Sequence, residues 1–396
     1  MTKVEIKICD ILKKHITVIG FAAVTLLSVF LRIAMLDKVT SDYSFFMSKW
    51  ISQLNQYDGL WGLGEEIGEY NVPYMTFLAL IGKTPANDLH EIKILSIVFD
   101  YIGAFAALKL LSLIGNKKFF SSSNLVAYAV ILFNPVFFLN SAYWAQCDFI
   151  YTALCIFSLY YILRGRNNFG MIFFALALTV KLQAIFFFPV LMICYFIKRK
   201  IKIVSFLWIP AIFVLAVLPA IIAGRGVIET LTIYFDQTSI YEHLTMACPN
   251  IFVFITGEYE IFSKVGIIFA LTVLGVGLCY LMKCRELTHE DSILLAAWCA
   301  FVCIFFLPAM HERYTFMACV FSLIWAFISK KDAWVAIGIN FVCFLSYTPY
   351  LFQNTVIDMK YLAIANLVFL IYMSYRLFAP KDNLSESVKD KKVKIK

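Results

Sequence analysis

The chain reads as an all-α polytopic membrane protein, a bundle of about twelve spanning helices with an amphipathic helix at the interface in its first outer loop. Three observations predict this class. Of 396 residues, 62% are hydrophobic and only 15% charged, with a mean hydropathy of +0.81. A soluble domain carries about 25% charge. The apolar residues fall in runs close to the roughly 20 residues that a bilayer asks of a helix. Finally, short basic clusters recur between these runs on one side only, which makes the net charge of +8 a topology signal and not a sign of a nucleic-acid partner.

The runs are 16–36, 92–114, 122–140, 149–163, 169–181, 184–197, 203–223, 262–282, 291–308, 314–329, 333–352 and 361–379. Two of them, 169–181 and 184–197, are short and are separated by Lys181-Leu182-Gln183. A further apolar piece, 73–82, is too short to cross and is expected either to re-enter or to pack against the outer loop. With twelve crossings, every basic cluster falls on the side of the N-terminus: Lys13-Lys14, Lys117-Lys118, Arg164 with Arg166, Lys198-Arg199-Lys200, Lys283 with Arg285, Lys330-Lys331 and the tail. That side is cytoplasmic, so both termini are expected inside a cytoplasmic (plasma) membrane. Acids collect on the other side, among them Asp37, Asp42, Asp58, Glu69, Asp148, Glu242 and Glu312. The start of the chain is too acidic and too long before its first run for a cleaved signal, so that run is expected to be retained.

One membrane domain is expected over 1–379, followed by a basic, apolar-poor tail over 380–396 with the composition of a disordered cytoplasmic segment near anionic lipid. Of the eleven cysteines, most lie inside apolar runs and act as small hydrophobes. Cys147 and Cys248 lie in outer loops and are expected as free thiols. No CxxC marks a structural zinc site.

The first outer loop, 37–72, is polar, aromatic and acidic in an otherwise apolar chain. Asp42 lies just past the first run. Phe45, Phe46, Trp50 and Leu54 recur at roughly helical spacing, which predicts a helix lying along the interface. Tyr57, Trp61 and Tyr70 are expected as anchors at headgroup depth. Other polar residues gather at the same height. They are Tyr143-Trp144-Ala145-Gln146-Cys147-Asp148, the Lys181/Gln183 step, the large outer loop 224–261 with Tyr241, His243 and Asn250, and His311-Glu312-Arg313-Tyr314. Each has an ordinary structural reading: belt aromatics, helix caps, a snorkelling lysine, a solvated ion pair. Their common height at the outer mouth points to a site, because an ionisable residue at membrane depth is a functional hypothesis by default.

Sugar transfer from a lipid-linked phosphate fits this set. A phosphate leaves without a general acid, so one base is enough. Asp42 is the expected base. Arg313, Lys181 and His311 are the expected contacts to the donor phosphate. Trp144, Gln146, Asp148, Gln183, His243, Glu312 and Tyr314 are the expected contacts to sugar and acceptor. The competing classes are a transporter or flippase of lipid-linked sugars, a polymerase using a diphosphate-linked glycan, and a non-enzymatic scaffold. A flippase would line a path through the bundle, whereas here the polar residues gather at one mouth.

Several stretches carry a family resemblance: SDYSFFMSKW, NPVFFLNSAYWAQCDFIYT, ALTVKLQAIFFFPVL, YEHLTMACPNIF and PAMHERYTF. They resemble the GT-C superfamily of polyprenyl-phosphate-sugar glycosyltransferases, and within it bacterial proteins related to the second GPI mannosyltransferase (the PIG-V type). The resemblance runs from the first span to the HERY segment. It implies an inverting hexosyltransferase acting at the outer face with a polyprenyl-phosphate-sugar donor and a cell-surface glycan or glycolipid acceptor. It also implies Asp42 as catalytic base and donor-phosphate contacts around Arg313. Two departures stand out. The familiar W-G-Q is here Trp144-Ala145-Gln146, and the double acid common in the first loop is here Asp42-Tyr43. No cofactor is expected, although the second departure leaves a divalent metal open.

Overall fold

The computed structural model describes residues 1–197, 201–284 and 286–379. The tail over 380–396, the Lys198-Arg199-Lys200 cluster and Arg285 lie outside the described residues.

The described chain is almost wholly helical. Helix α1 (Lys3–Ile33) opens on a Thr2/Glu5 capping box and carries Arg32 in its last turn, each in register with the helix dipole. The first outer loop then folds as a π turn over Tyr43–Met47, α2 (Ser48–Gln56), a 3₁₀ turn over Gly59–Gly64 and α3 (Val72–Ile81). Helix α4 (Asp88–Gly115) starts on an Asn87 cap and stops at Asn116, whose left-handed φ of 47° ends the hydrogen-bond ladder. Helix α5 (Ser122–Leu132) and the short α6 (Pro135–Phe138) are bent apart at Asn134-Pro135, where proline removes a backbone donor. Next come α7 (Asp148–Leu163), α8 (Asn167–Val180), α9 (Phe188–Phe196), α10 (Trp208–Ile222) and α11 (Val227–Ser239). Helices α12 (Tyr259–Cys284), α13 (His289–Phe306), α14 (Phe316–Ile328), α15 (Ala333–Phe352) and α16 (Met359–Phe378) complete the bundle.

Among the described residues, seven helices are long and apolar enough to cross a membrane, and the α5–α6 pair, bent by 47°, makes an eighth. The other four expected runs are helical but short: Asp148–Leu163, Asn167–Val180, Leu182–Phe196 and Phe316–Ile328. The break between 169–181 and 184–197 falls where the sequence places it. Lys181 is extended (φ −153°, ψ 134°), and a 3₁₀ turn over Leu182–Phe187 leads into α9.

The main core joins α4, α7, α8, α13, α14 and α15, with α13 and α14 at its centre. A second apolar cluster sits on top of it. There Met47, Trp50, Ile51 and Leu54 of the first loop meet Tyr74, Met75 and Leu78 of α3, and Val217 and Ala220 of α10. Their spacing of three and four residues puts one face of α2 inward, which supports the predicted amphipathic helix. The apolar piece 73–82 is therefore a helix packed against the outer loop. Tyr57 and Trp61 are exposed as expected of anchors, but Tyr70 is not an anchor. It packs between Trp50 and Tyr74, because the loop turns inward there. Cys147 and Cys248 are both buried free thiols.

The sequence reading passed over three buried charges that tie this layer down. Arg32 donates to Asp100 at 2.8 Å, and Asp100 also accepts from Ser141 at 2.5 Å. Lys93 of α4 donates to the carbonyls of Met35, Leu36 and Lys38 at 2.8, 3.0 and 2.6 Å. Those carbonyls follow the end of α1, where no intrahelical donor remains for them. The lysine thus sets the direction in which the chain leaves α1 toward Asp42.

Candidate active site

Asp42 stands at the start of the π turn, with its carboxylate facing three side-chain donors from two other parts of the chain. Trp144 Nε1 and Gln146 Nε2 donate to Oδ2 at 2.9 and 2.6 Å, and the Tyr350 hydroxyl donates to Oδ1. Arg313 Nη1 lies 3.9 Å from the same Oδ2.

The Trp-Ala-Gln turn that supplies two of these donors is built on strained backbone. A π turn over Leu139–Tyr143 ends with Ala145 at φ 64°, and the N–H groups of Ala145 and Gln146 donate back to the carbonyls of Ser141 and Asn140. This left-handed step swings Trp144 and Gln146 onto one carboxylate. It is a conformation that glycine adopts freely, while an L-residue there costs about 1–2 kcal/mol. Alanine at this position therefore carries strain, partly offset by burial of its methyl. Ala145→Gly is expected to change stability by less than about 1 kcal/mol, and Ala145→Val to lower it by more than that, read from thermal melts in detergent.

Arg313 comes from the corner between α13 and α14. Strand β1 (Thr245–Met246) pairs in parallel with β2 (Met310–His311), and the Glu312 N–H donates to the Met246 carbonyl at 3.1 Å. The large outer loop is thereby zipped to the HERY corner, with Ala247 and Ala309 both left-handed at the junction (φ 57° and 55°). Arg313 Nη1 donates to Glu312 at 3.1 Å, while its buried Nε has no hydrogen-bond partner. Burial raises the Glu312 carboxyl, opposed by the Arg313 charge beside it.

Two cavities meet at this arginine. The first, of about 400 Å³, is lined by Asp42, Trp50, Gln146, Glu312 and Tyr350. The second, of about 490 Å³, runs past Lys181, Gln183, Ile185, Phe186, Ile267 and Leu307. Glu69, Tyr70, Tyr241, His311 and Arg313 line both. Gln183 turns a buried, unpartnered Oε1 toward this region, and Tyr314 lines the second cavity.

Several expected contacts are used up inside the protein. Lys181 and Asp148 are paired with each other at 2.5 Å, with Asn140 also donating to Asp148 at 2.8 Å. Asp148 is fully buried and lines neither cavity, and it is the counter-charge of Lys181. The two reach the same depth with opposite charge and close on one another before any ligand can intervene. Lys181 still edges the second cavity, under the rings of Tyr70 and Tyr314. Lys181→Met is expected to destabilise the fold by about 3–5 kcal/mol, because it strands a buried carboxylate, whereas Lys181→Met combined with Asp148→Leu recovers most of that loss. Melting curves of the two variants decide it; equal melting would mean that the pair is not formed.

Trp144 is not open to stack on a sugar either. Tyr350 stacks on its indole at 4.8 Å, and the Arg313 guanidinium lies 5.4 Å from the ring centre. His243 is exposed and lines neither cavity, since the β1–β2 pairing turns that part of the loop outward. His311 does lie between the two cavities, flanked by Tyr241 and Tyr314. Burial, with the charges of Arg313 and Lys181, pushes its imidazole down to about 2. These surroundings favour the neutral imidazole. The unfolded chain binds this proton near pH 6.5 and the folded chain does not, so the stabilisation is complete above about 6.5 and is lost as pH falls below it. His311→Gln is expected to flatten the drop in melting temperature between about pH 7 and 5; parallel slopes in the two proteins would contradict it.

Tyr350 and Glu69 are among the lining residues not expected from the sequence as contacts. Their signals were present: Ser346-Tyr347-Thr348-Pro349-Tyr350 is a polar aromatic run at the outer end of 333–352, and Glu69 stands among the outer acids. Among the described residues no three His, Cys, Asp or Glu side chains group as metal ligands; Asp42 and Glu312 share Arg313 as counter-charge instead.

No family model matches the chain, and no curated protein matches it.

Proposed function

We propose that this membrane protein is an inverting glycosyltransferase that moves a hexose from a polyprenyl-phosphate carrier to a glycan or glycolipid acceptor. The single observation that carries this reading is the position of Arg313. Its guanidinium lies 3.9 Å from Asp42, at the junction of a cavity lined by Asp42 and Glu312 and a second one that runs past Ile185, Phe186, Ile267 and Leu307. A prenyl chain suits the Ile185, Phe186, Ile267 and Leu307 wall of the second cavity, its phosphate suits Arg313 where the two cavities meet, and the sugar then reaches the first. The acceptor hydroxyl gives its proton to Asp42 as its oxygen bonds to the anomeric carbon. The bond from that carbon to the phosphate oxygen breaks, and the electron pair leaves with the phosphate, whose charge the guanidinium stabilises.

In this reading the four short apolar helices also span, completing twelve crossings in a plasma membrane with both termini cytoplasmic. The charge asymmetry of the loops supports that orientation, and it puts the site on the outer face. Short helices are tolerated there because broken backbone at membrane depth lines a cavity and not lipid. The test is to feed purified protein a panel of polyprenyl-phosphate hexoses with glycan and glycolipid acceptors. Release of free polyprenyl phosphate together with a glycosylated acceptor is expected for at least one pair. Carrier phosphate that stays sugar-linked across the panel would refute the reading.

A further inference from the structure

The two oxygens of Asp42 are held by different kinds of donor. Oδ2 accepts only from N–H groups, those of Trp144 and Gln146, which can give a hydrogen bond but cannot take one. Oδ1 accepts from the Tyr350 hydroxyl, and that oxygen in turn accepts from the Ser41 hydroxyl at 2.5 Å. Hydroxyls can reverse. Tyr350 is half-buried against Trp144, and Ser41 is exposed. A chain of three oxygens therefore runs from one face of the carboxylate to water, while the other face is pinned in its charged geometry. The remaining titratable groups close enough to feel the Asp42 charge are Arg313, Glu312 and Tyr74. Arg313 and Glu312 are paired with each other and line the first cavity, but a guanidinium only donates and a carboxylate only accepts, so neither can reverse as a hydroxyl can.

We infer that Tyr350 and Ser41 form the route by which Asp42 returns to its charged state, carrying the proton taken from the acceptor out to water. The inference rests on the reading of Asp42 as general base. In the resting state the hydroxyls point inward, Ser41 to Tyr350 to Asp42. When Oδ1 takes the acceptor proton, the chain turns round. Asp42 passes that proton to the Tyr350 oxygen, Tyr350 passes its own to the Ser41 oxygen, and Ser41 passes its own to a water molecule. Each oxygen loses one proton and gains one; Asp42 regains its negative charge, water carries the positive one, and both hydroxyls stay neutral. Both residues act through Asp42 and are positioning residues, since neither needs to touch the sugar.

Two measurements test this. The first needs no substrate. Isotope-edited infrared difference spectra of the purified full-length protein with ring-labelled tyrosine are recorded on acidification, and the Tyr350 band is identified by its loss in Tyr350→Phe. The phenol band is expected to move from the position of a donor to a carboxylate to that of an acceptor from a carboxylic acid, and to show no such move in Asp42→Asn. A Tyr350 band that holds its position while Asp42 protonates overturns the inference. The second is turnover. Ser41→Ala and Tyr350→Phe are expected to lower kcat by about 10- to 100-fold with KM unchanged, to be rescued by small buffers such as imidazole, and, for Ser41, by Thr. A rate that equals wild type, or that buffer does not raise, overturns it while leaving the transferase reading intact. A wild-type protein that reverses its phenol band but transfers no sugar sinks the transferase reading instead.

Discussion

Asp42→Asn is expected to cut hexose transfer by about 10²- to 10⁴-fold, the range a positioned general base contributes, in a protein that stays inserted and folded. The asparagine is isosteric, and its carbonyl can take the place of Oδ2, still accepting from Trp144 and Gln146. The amide then faces Tyr350, where it can donate to the phenol oxygen but cannot receive the acceptor proton. The cavity keeps its shape and loses its base. Release of carrier phosphate measured against a wild-type control, with a detergent gel-filtration profile and a melting curve to establish folding, checks the prediction. Wild-type turnover in a folded Asp42→Asn protein would remove Asp42 from the mechanism.

Arg313→Met is expected to have the next largest effect, a fall of about 10²- to 10³-fold in kcat, as for loss of a group that stabilises charge developing on the leaving phosphate. It carries a second cost. Glu312 is 4% exposed, and without Arg313 it is a buried carboxylate with no counter-charge, which lowers stability by about 3–5 kcal/mol. The two effects separate in the double variant. Adding Glu312→Gln to Arg313→Met removes the stranded charge and is expected to restore melting without restoring transfer. Arg313→Lys keeps the charge but not the planar fork, and is expected to recover only part of the rate. If the double variant transfers sugar at the wild-type rate, the guanidinium acts on protein stability alone.

Much of the site was legible in the chain before folding, for a definable reason. Charge and hydropathy along a membrane sequence report depth and side, because burial of an unpaired charge in lipid is too costly to go unmarked. Asp42, Gln146, Gln183, His311, Glu312, Arg313 and Tyr314 were therefore placed at one mouth, and the structure does bring them around two adjoining cavities. Pairing is not legible in the same way. Lys181 and Asp148, 33 residues apart, carry equal and opposite charge at one height, and nothing in their spacing says that they close on each other and not on a ligand. Trp144 reads as a sugar platform until Tyr350, more than 200 residues downstream, is found stacked on it.

The sequence by itself determined that the chain is helical with several apolar helices fit to span a membrane, that the loop after the first of them holds an amphipathic helix, and that Asp42 and the HERY corner belong to one end of the bundle. Periodicity and transfer cost act locally, so a linear string can express them. Only the tertiary structure decided which charges are spent on one another. It alone set the donors on Asp42, the left-handed turn at Ala145 that aims two of them, and the place of Arg313 between the cavities. Those depend on side-chain distances of a few ångströms between residues far apart in the chain, which the packing of the first loop on α4, α8 and α10 helps to fix.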